Sequence, residues 1–415
     1  MKTQKTILAI GLIILLSGCT NQTIDESELS EGVYENNIYG TLDYALLEKY
    51  ERILGFELYY YIDLTCTDDE VIISFQGSNG TWPPKIYAAT FDSNLAQKTG
   101  FIDLIQGLPN HGYPDHVLIH HDGFFYGAFN GAWNRTSGDL HAVKFDSEFN
   151  IVGHALIAQY LDGIDDIGNN IMTLDSPMIS IYNETIYISA GHYIDRQSQR
   201  GKSGLKVWAL DLNLSLKKQF NLTWGSNFDG SWHGEVIPYE NGYKTIVSGE
   251  SPINIYLINF DESGEFISKR QLIPEQEAME GKAVWQAAHT RALLYNGSYY
   301  VHFNGAPEEM KRKNDPNYFP EVNNYVAVFN SDFDFERLIK LTNYTPEMHS
   351  QIYIELERYS CIINDSLYSA ISFSNYNGKS RYEFSDTEML YLLKYKITDE
   401  STQPQIIGLP FPNHQ

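Results

Sequence analysis

Four carboxylates and four imidazoles recur at one kind of position in this chain. They stand just ahead of, or at the start of, a short apolar run. The carboxylates are Asp63, Asp115, Asp175 and Glu235, and the imidazoles are His116, His233, His289 and His349. Arg291 completes the segment His289-Thr290-Arg291, and Gln351 completes His349-Ser350-Gln351. A strand whose only task is packing would carry Val or Ile there. Ionisable groups set into apolar surroundings are costly unless paired, so their recurrence marks a candidate site. Three chemistries fit. Two carboxyls, one protonated and one ionised, can run glycoside hydrolysis as acid and as base or nucleophile. Three or four imidazoles, with Glu235 or Gln351, can hold a divalent metal such as Zn, Cu, Mn or Ni. His or Tyr with Arg196 or Arg291 gripping a uronate carboxylate would suit a polysaccharide lyase.

Aromatic side chains accompany these groups. Trp82, Trp133, Trp224, Trp232 and Trp285 all fall in or beside segments that read as loops, and Trp208 alone is mid-strand. Such rings stack on the C–H faces of sugars and on cationic ligands; they also plug gaps between sheets. Loop-flanking His192, Asp195, Arg196, Glu250, Asn130 and Asn304 add polar reach.

The elements that must position these residues are legible as a repeat. A segment of apolar–x–apolar residues followed by Phe-Asp-Ser or a variant occurs six times. It reads Ile86 to Ser93, Leu140 to Ser147, Val207 to Leu212, Ile255 to Asp261, Tyr325 to Ser331 and Leu390 to Tyr395. Upstream of each copy lies a strand, a tight turn and a Tyr/Phe/Ile-rich strand. The turns are Asp122-Gly123, Asn183-Glu184, Asn241-Gly242 and Asn296-Gly297, with Asp68-Asp69 and Asn364-Asp365 expected to be looser. Asn and Gly accept the positive φ of a hairpin turn. Each unit is thus four antiparallel strands, and six units predict an all-β, six-bladed β-propeller of four-stranded antiparallel blades. The blades are expected at 56–108, 114–160, 174–224, 232–275, 288–343 and 348–410. A five- or seven-bladed ring or a pair of β-sandwiches competes, but a sandwich needs no six copies of one hairpin unit. Within a blade the short A–B and C–D turns share one face. The long B–C and D–A loops share the other, and function concentrates on such loops.

The segments Asp115 to Tyr126 and Ser176 to Ile188 resemble the blade starts of propeller-fold glycosidases, in which an axial carboxylate precedes an apolar strand, a turn and a Tyr-rich strand. The resemblance spans two blades. It implies catalytic roles for the axial carboxylates, although those enzymes have five blades and this chain reads as six.

The N-terminus is a targeting segment. Lys2 and Lys5 precede the apolar run Ile7 to Leu16, which is too short to span a bilayer as a mature helix. Leu16-Ser17-Gly18-Cys19 resembles the lipobox of prokaryotic lipoproteins, which implies removal of residues 1–18 and lipidation of Cys19. Residues 19–33 then form a polar tether, 34–55 an N-terminal extension with a helix over Thr41 to Ile53, and 56–415 the propeller. Localisation at a cell membrane follows, with the domain facing the periplasm or the exterior. Loss of the two lysines takes the formal charge from -24 to -26, which argues against nucleic acid and anionic lipid surfaces as partners. Cys66 and Cys361 sit in apolar runs and read as buried free thiols. The overall expectation is a lipid-anchored propeller that binds or processes a carbohydrate or other small ligand. A protein-docking scaffold and a His-ligated metalloenzyme are the alternatives.

Overall fold

The structure is a computed structural model that describes residues 33–36, 42–46, 57–78, 85–106, 108, 115–130, 137–161, 177–193, 203–224, 234–250, 253–273, 291–305, 323–341, 352–375 and 388–397. Every regular element among them is a β-strand, and the strands form six antiparallel sheets. Blade 1 is β3 (Glu57–Cys66), β4 (Glu70–Ser78), β5 (Lys85–Asp92) and β6 (Ile102–Asp103). Blade 2 is β7 (Asp115–His121), β8 (Phe124–Asn130), β9 (Ser137–Phe145) and β10 (Ile151–Leu161). Blade 3 is β11 (Met178–Tyr182), β12 (Thr185–Tyr193), β13 (Ser203–Asp211) and β14 (Leu216–Thr223). Blade 4 is β15 (Glu235–Tyr239), β16 (Gly242–Glu250), β17 (Ile253–Phe260) and β18 (Phe266–Gln271). Blade 5 is β19 (Ala292–Tyr295), β20 (Ser298–Gly305), β21 (Asn323–Phe329) and β22 (Phe335–Lys340). Blade 6 runs β23 (Ile352–Ile363), β24 (Ser366–Asn375) and β25 (Glu388–Lys396), followed by β2 (Leu42–Leu46) and β1 (Val33–Asn36).

Blade 6 corrects two expectations. Its outer strands come from the N-terminus, because β2 pairs with β25 from Leu42 opposite Tyr395 to Leu46 opposite Tyr391. The stretch expected to be helical therefore holds a strand at Leu42–Leu46, and the strands Val33–Asn36 and Leu42–Leu46 of the N-terminal extension complete blade 6. The helical spacing of Leu46, Leu47 and Tyr50 was a weaker determinant than the open edge of β25, whose unpaired backbone groups demand a partner.

Two turn types set the short-turned face. Four A–B turns carry positive φ at both central residues: Asp122-Gly123, Asn183-Glu184, Asn296-Gly297 and Asn364-Asp365. The last is thus as tight as the others rather than looser. The first is looser, with Thr67 Oγ1 accepting from the Glu70 amide at 3.0 Å. The repeated Phe-Asp turn has its own logic. Asp92 Oδ1 accepts from the amides of Asn94 and Ala96 at 2.8 and 2.9 Å. Asp146, Asp211, Asp261 and Asn330 do the same for the amides two and four residues on. A side-chain oxygen at that position thus closes the turn in five copies; the sixth has Lys396 there, and β25 pairs with β2 from the N-terminus instead of a following strand. Three residues after it, Leu95, Phe149, Leu214 and Phe333 adopt left-handed φ between 63° and 65°. All four are buried, so burial offsets the steric cost of that conformation.

Apolar clusters fill the spaces between blades. One joins Ile62, Val71 and Phe75 of blade 1 to Cys361, Tyr368 and Leu392 of blade 6. There Cys66 and Cys361 form a disulfide, with Cα atoms 5.7 Å apart at a sequence separation of 295. The expectation of free thiols was wrong: two cysteines remote in sequence meet because the ring brings its first and last inner strands together.

Candidate functional site

The inner strands β3, β7, β11, β15, β19 and β23 form the innermost layer, with β3 beside both β23 and β7 and β11 beside both β7 and β15. Five of the residues singled out by sequence lie in this layer among the described residues: Asp63, Asp115, His116, Glu235 and Arg291. All are buried, between 1 and 5 % exposed. Asp115 opens β7 opposite Asn130, and Glu235 opens β15 opposite Ile246. Asp63 lies deeper, opposite Ser74 within β3.

Arg291 is the hub. It precedes β19 in blade 5, yet its Nη1 donates to the Leu64 carbonyl at 3.1 Å and its Nη2 to the Leu118 carbonyl at 2.8 Å. Those carbonyls belong to blades 1 and 2, neither of which neighbours blade 5 in the ring. The guanidinium therefore crosses the axis. Asp63 Oδ1 stands 3.8 Å from Arg291 Nη1, and Asp63 Oδ2 accepts from the Leu118 amide at 2.5 Å. Glu235 Oε2 accepts from the Ala292 amide at 2.9 Å, tying blade 4 to blade 5. One cation and two carboxyls thus link four blades through the centre.

Burial decides the electrostatics. It pushes Asp63 up to about 6, against the opposing pull of Arg291 and of main-chain hydrogen bonds. It pushes Glu235 up to about 7 against Arg291 and the Ala292 amide. The ordering is physical: a single guanidinium faces two carboxyls, and two of its N–H donors go to carbonyls instead. Burial also drives His116 down to about 3, so this imidazole is neutral at physiological pH. Its Nε2 lies 2.9 Å from Ser74 Oγ, and its ring stacks on Phe129 with centroids 6.1 Å apart. Tyr182 and Tyr299 are held in the phenol form by burial and by the nearby Glu235 charge.

Two serines that composition did not single out secure the walls. Ser180 Oγ donates to the Val236 carbonyl at 2.6 Å, and Ser189 Oγ donates to the Gly234 carbonyl at 2.7 Å. They clamp blade 3 to the two residues flanking Glu235. Gly234 is required there, since a Cβ would stand 2.4 Å from Thr245 Oγ1. The only sequence signal for these serines is a hydroxyl inside an otherwise apolar strand.

The other expected site residues fall elsewhere. Cys19, Trp82, Trp133, Asp175, Arg196, Trp232, His233, Trp285, His289 and His349 lie outside the described residues. His192 lies on β12, where its backbone pairs with Gly204. Trp224 stands directly after β14, beside the loop as expected, but it is 3 % exposed and packs toward Phe260 with ring centroids 6.3 Å apart, inside the cluster between blades 3 and 4. Among the described residues no group of three or more His, Cys, Asp and Glu side chains is arranged to hold a metal ion. Of the four imidazoles considered as ligands, only His116 is described.

No family model matches the chain, and no curated protein matches it. Solved structures do. An α-L-arabinofuranosidase from Fusarium graminearum, in a mutant form bound to an iminosugar inhibitor, superposes with a TM-score of 0.50 at 10 % identity, over 83 % of this chain and 95 % of that one. A neuraminidase-like protein of A/flat-faced bat/Peru gives 0.47 at 9 % identity, over 84 % and 90 % of the two chains. A xylan β-1,4-xylosidase from Bacillus halodurans gives 0.42 at 14 % identity, over 68 % and 55 %. At such identities the likeness speaks to fold, and together with the six sheets it establishes this chain as an all-β, six-bladed β-propeller.

Proposed function

We propose that this chain is an exported, lipid-anchored β-propeller that binds or processes a carbohydrate at the axial mouth of its loop face. One observation carries the reading. The inner strands of blades 1, 2 and 4 each set a carboxyl into the axial layer, and two of these are held toward the neutral form, at about 6 and about 7. A carboxyl poised near neutrality is what an acid catalyst of glycoside cleavage requires, and what donates a hydrogen bond to a sugar hydroxyl. The fold likeness to an arabinofuranosidase is consistent with this and adds scaffold rather than chemistry.

The test is a glycan array combined with assay of released reducing sugar, on wild type and on Asp115→Asn. Asp115 lies at the strand start, nearest the loops, so its loss should weaken glycan retention at least about tenfold. Unchanged retention in the variant would remove the axial site from consideration. The disulfide between Cys66 and Cys361 supports export, since such bonds persist in oxidising compartments. Replacement of Cys19 by Ala should release the protein from membranes into the soluble fraction, and continued membrane retention would refute the anchor.

A second reading has its own support. Asp63, Glu235 and Arg291 all bond to main-chain groups, which a purely structural ring also needs. A non-catalytic docking scaffold would then be the function, with the loops meeting a protein partner. Cross-linking on intact cells that captures no protein would count against it.

A further inference from the structure

The outer edge of blade 2 differs from the other outer edges. β10 ends its sheet, paired with β9 on one side. It is 11 residues long, Ile151–Leu161, and contains no Asp, Glu, Lys or Arg. Among the described residues every other outer strand carries a charge: Glu35 on β1, Asp103 on β6, Lys217 on β14, Arg270 on β18 and Glu336 on β22. Charges on an edge strand discourage its outward-facing backbone groups from pairing with another chain. β10 lacks that protection along an edge of roughly 36 Å, at about 3.3 Å per residue. Register shifts at Val152 and Ile157 twist the strand, yet exposed and half-buried residues still alternate from Ile151 to Leu156.

The exposed members of that alternation are Val152, His154 and Leu156. Val152 is 52 % exposed and Leu156 49 %. The row lies on the face turned toward blade 1. Leu156 pairs with His141, and His141 with Phe129, which packs in the cluster shared by blades 1 and 2. Blade 1 ends in β6, which has two residues, so it leaves this face open. Partial burial holds the His154 imidazole below its ordinary value, which keeps the row uncharged at neutral pH.

A neutral, self-similar edge suits a second copy of this chain. The chain carries a formal charge of -24, so two copies repel wherever acidic surfaces meet. The uncharged edge is where their contact costs least. A partner chosen by charge would find none on this strand to recognise. Antiparallel pairing about a two-fold axis is self-complementary. With the axis at His154, Val152 of each copy meets Leu156 of the other, which forms two apolar cross-strand pairs. We propose that two copies of this chain associate through antiparallel pairing of β10 with β10, joining two four-stranded blades into one eight-stranded sheet. This contact does not depend on what the loop face binds.

Sedimentation velocity of the full chain in mild detergent, from about 1 to about 100 μM, tests the pairing. One edge contact is a small interface, so the expected dimer is reversible, with a Kd of roughly 10 μM. Val152→Lys combined with Leu156→Lys sets lysine against lysine across the axis and should weaken association at least about tenfold. Val152→Lys combined with Leu156→Glu sets opposite charges at the same two places and should restore Kd to within about threefold of wild type. Both positions are half exposed, so the variants keep their fold, which an unchanged melting temperature checks. Leu216→Lys combined with Phe266→Lys puts the same charges on exposed positions of the outer strands of blades 3 and 4 and should leave Kd unchanged. A chain that stays monomeric to about 100 μM overturns the pairing. So does a dimer that persists in the double-lysine variant, that the lysine–glutamate variant fails to restore, or that is lost equally when blades 3 and 4 carry the lysines.

Discussion

Replacing Arg291 by Met tests whether one guanidinium holds the propeller together at its axis. The substitution removes two charge-assisted hydrogen bonds, to the Leu64 and Leu118 carbonyls, and the cation that faces Asp63 and Glu235. Hydrogen bonds to charged groups contribute roughly 1.5–3 kcal/mol each, and breaking a buried ion pair costs roughly 3–5 kcal/mol. The two figures overlap in what they count, so they are not summed. The pH dependence separates them. Asp63 and Glu235 have native values raised to about 6 and about 7, from ordinary values of 3.8 and 4.5. Below the ordinary values both groups are protonated folded and unfolded, and they add no pH dependence. Above the raised values the native state holds charges that the unfolded chain solvates more easily. Stability drawn from this pair therefore falls as pH rises through that window. Loss of Arg291 widens the window upward. At pH 5 the carboxyls of the variant are neutral and mainly the hydrogen bonds are lost, roughly 3 kcal/mol; at pH 8 the unpaired charge adds, bringing the cost to roughly 5 kcal/mol. Urea denaturation followed by fluorescence of buried Trp208 and Trp224 reads both values. His116, neutral in the native state, makes stability fall toward acid pH, but it does so equally in wild type and variant and cancels from the difference. Adding Asp63→Asn to the variant should recover part of the loss at pH 8 and little at pH 5. A cost below about 1 kcal/mol, or one identical at the two pH values, would show that the axial cluster is not a coupled unit.

Two further outcomes follow from the fold. Replacing Cys66 and Cys361 together by Ala should cost roughly 2–5 kcal/mol, because the disulfide constrains almost the whole unfolded ring. Thiol titration of protein beginning at residue 20 should find no free thiol until reductant is added, and two thiols found in the native protein would contradict the bridge. Gly264→Ala should cost more than about 1 kcal/mol, since Gly264 has φ of 88° and a Cβ there would stand 2.2 Å from the Asn221 carbonyl oxygen. An unchanged melting temperature would mean that the turn between β17 and β18 relaxes freely. The contrast with Leu95 and Phe149, side-chain-bearing residues at the same turn position, makes this a local test of how blades 3 and 4 approach each other.

Sequence by itself determined the repeat and its count. In five of the six copies the Asp or Asn of the Phe-Asp turn satisfies two amides through its own side chain, so the interaction is local and leaves a readable signature. The Asn-Gly and Asp-Gly hairpins are local for the same reason. Sequence also picked out Asp63, Asp115, Glu235 and Arg291, because an ionisable residue in an apolar strand is anomalous wherever it lies. What only the tertiary structure decided is every relation that spans the ring. Leu42–Leu46 is a strand because β25 ends the chain of blades with an open edge, nearly 350 residues away in sequence. Cys66 and Cys361 are bonded because ring closure brings the first and last inner strands together. Arg291 turns inward to carbonyls of blades 1 and 2 rather than outward to a ligand because those carbonyls face it across the axis. None of these partners is encoded by spacing. They follow from the packing of six similar units around one centre, where the few polar groups present must find each other or remain unpaired.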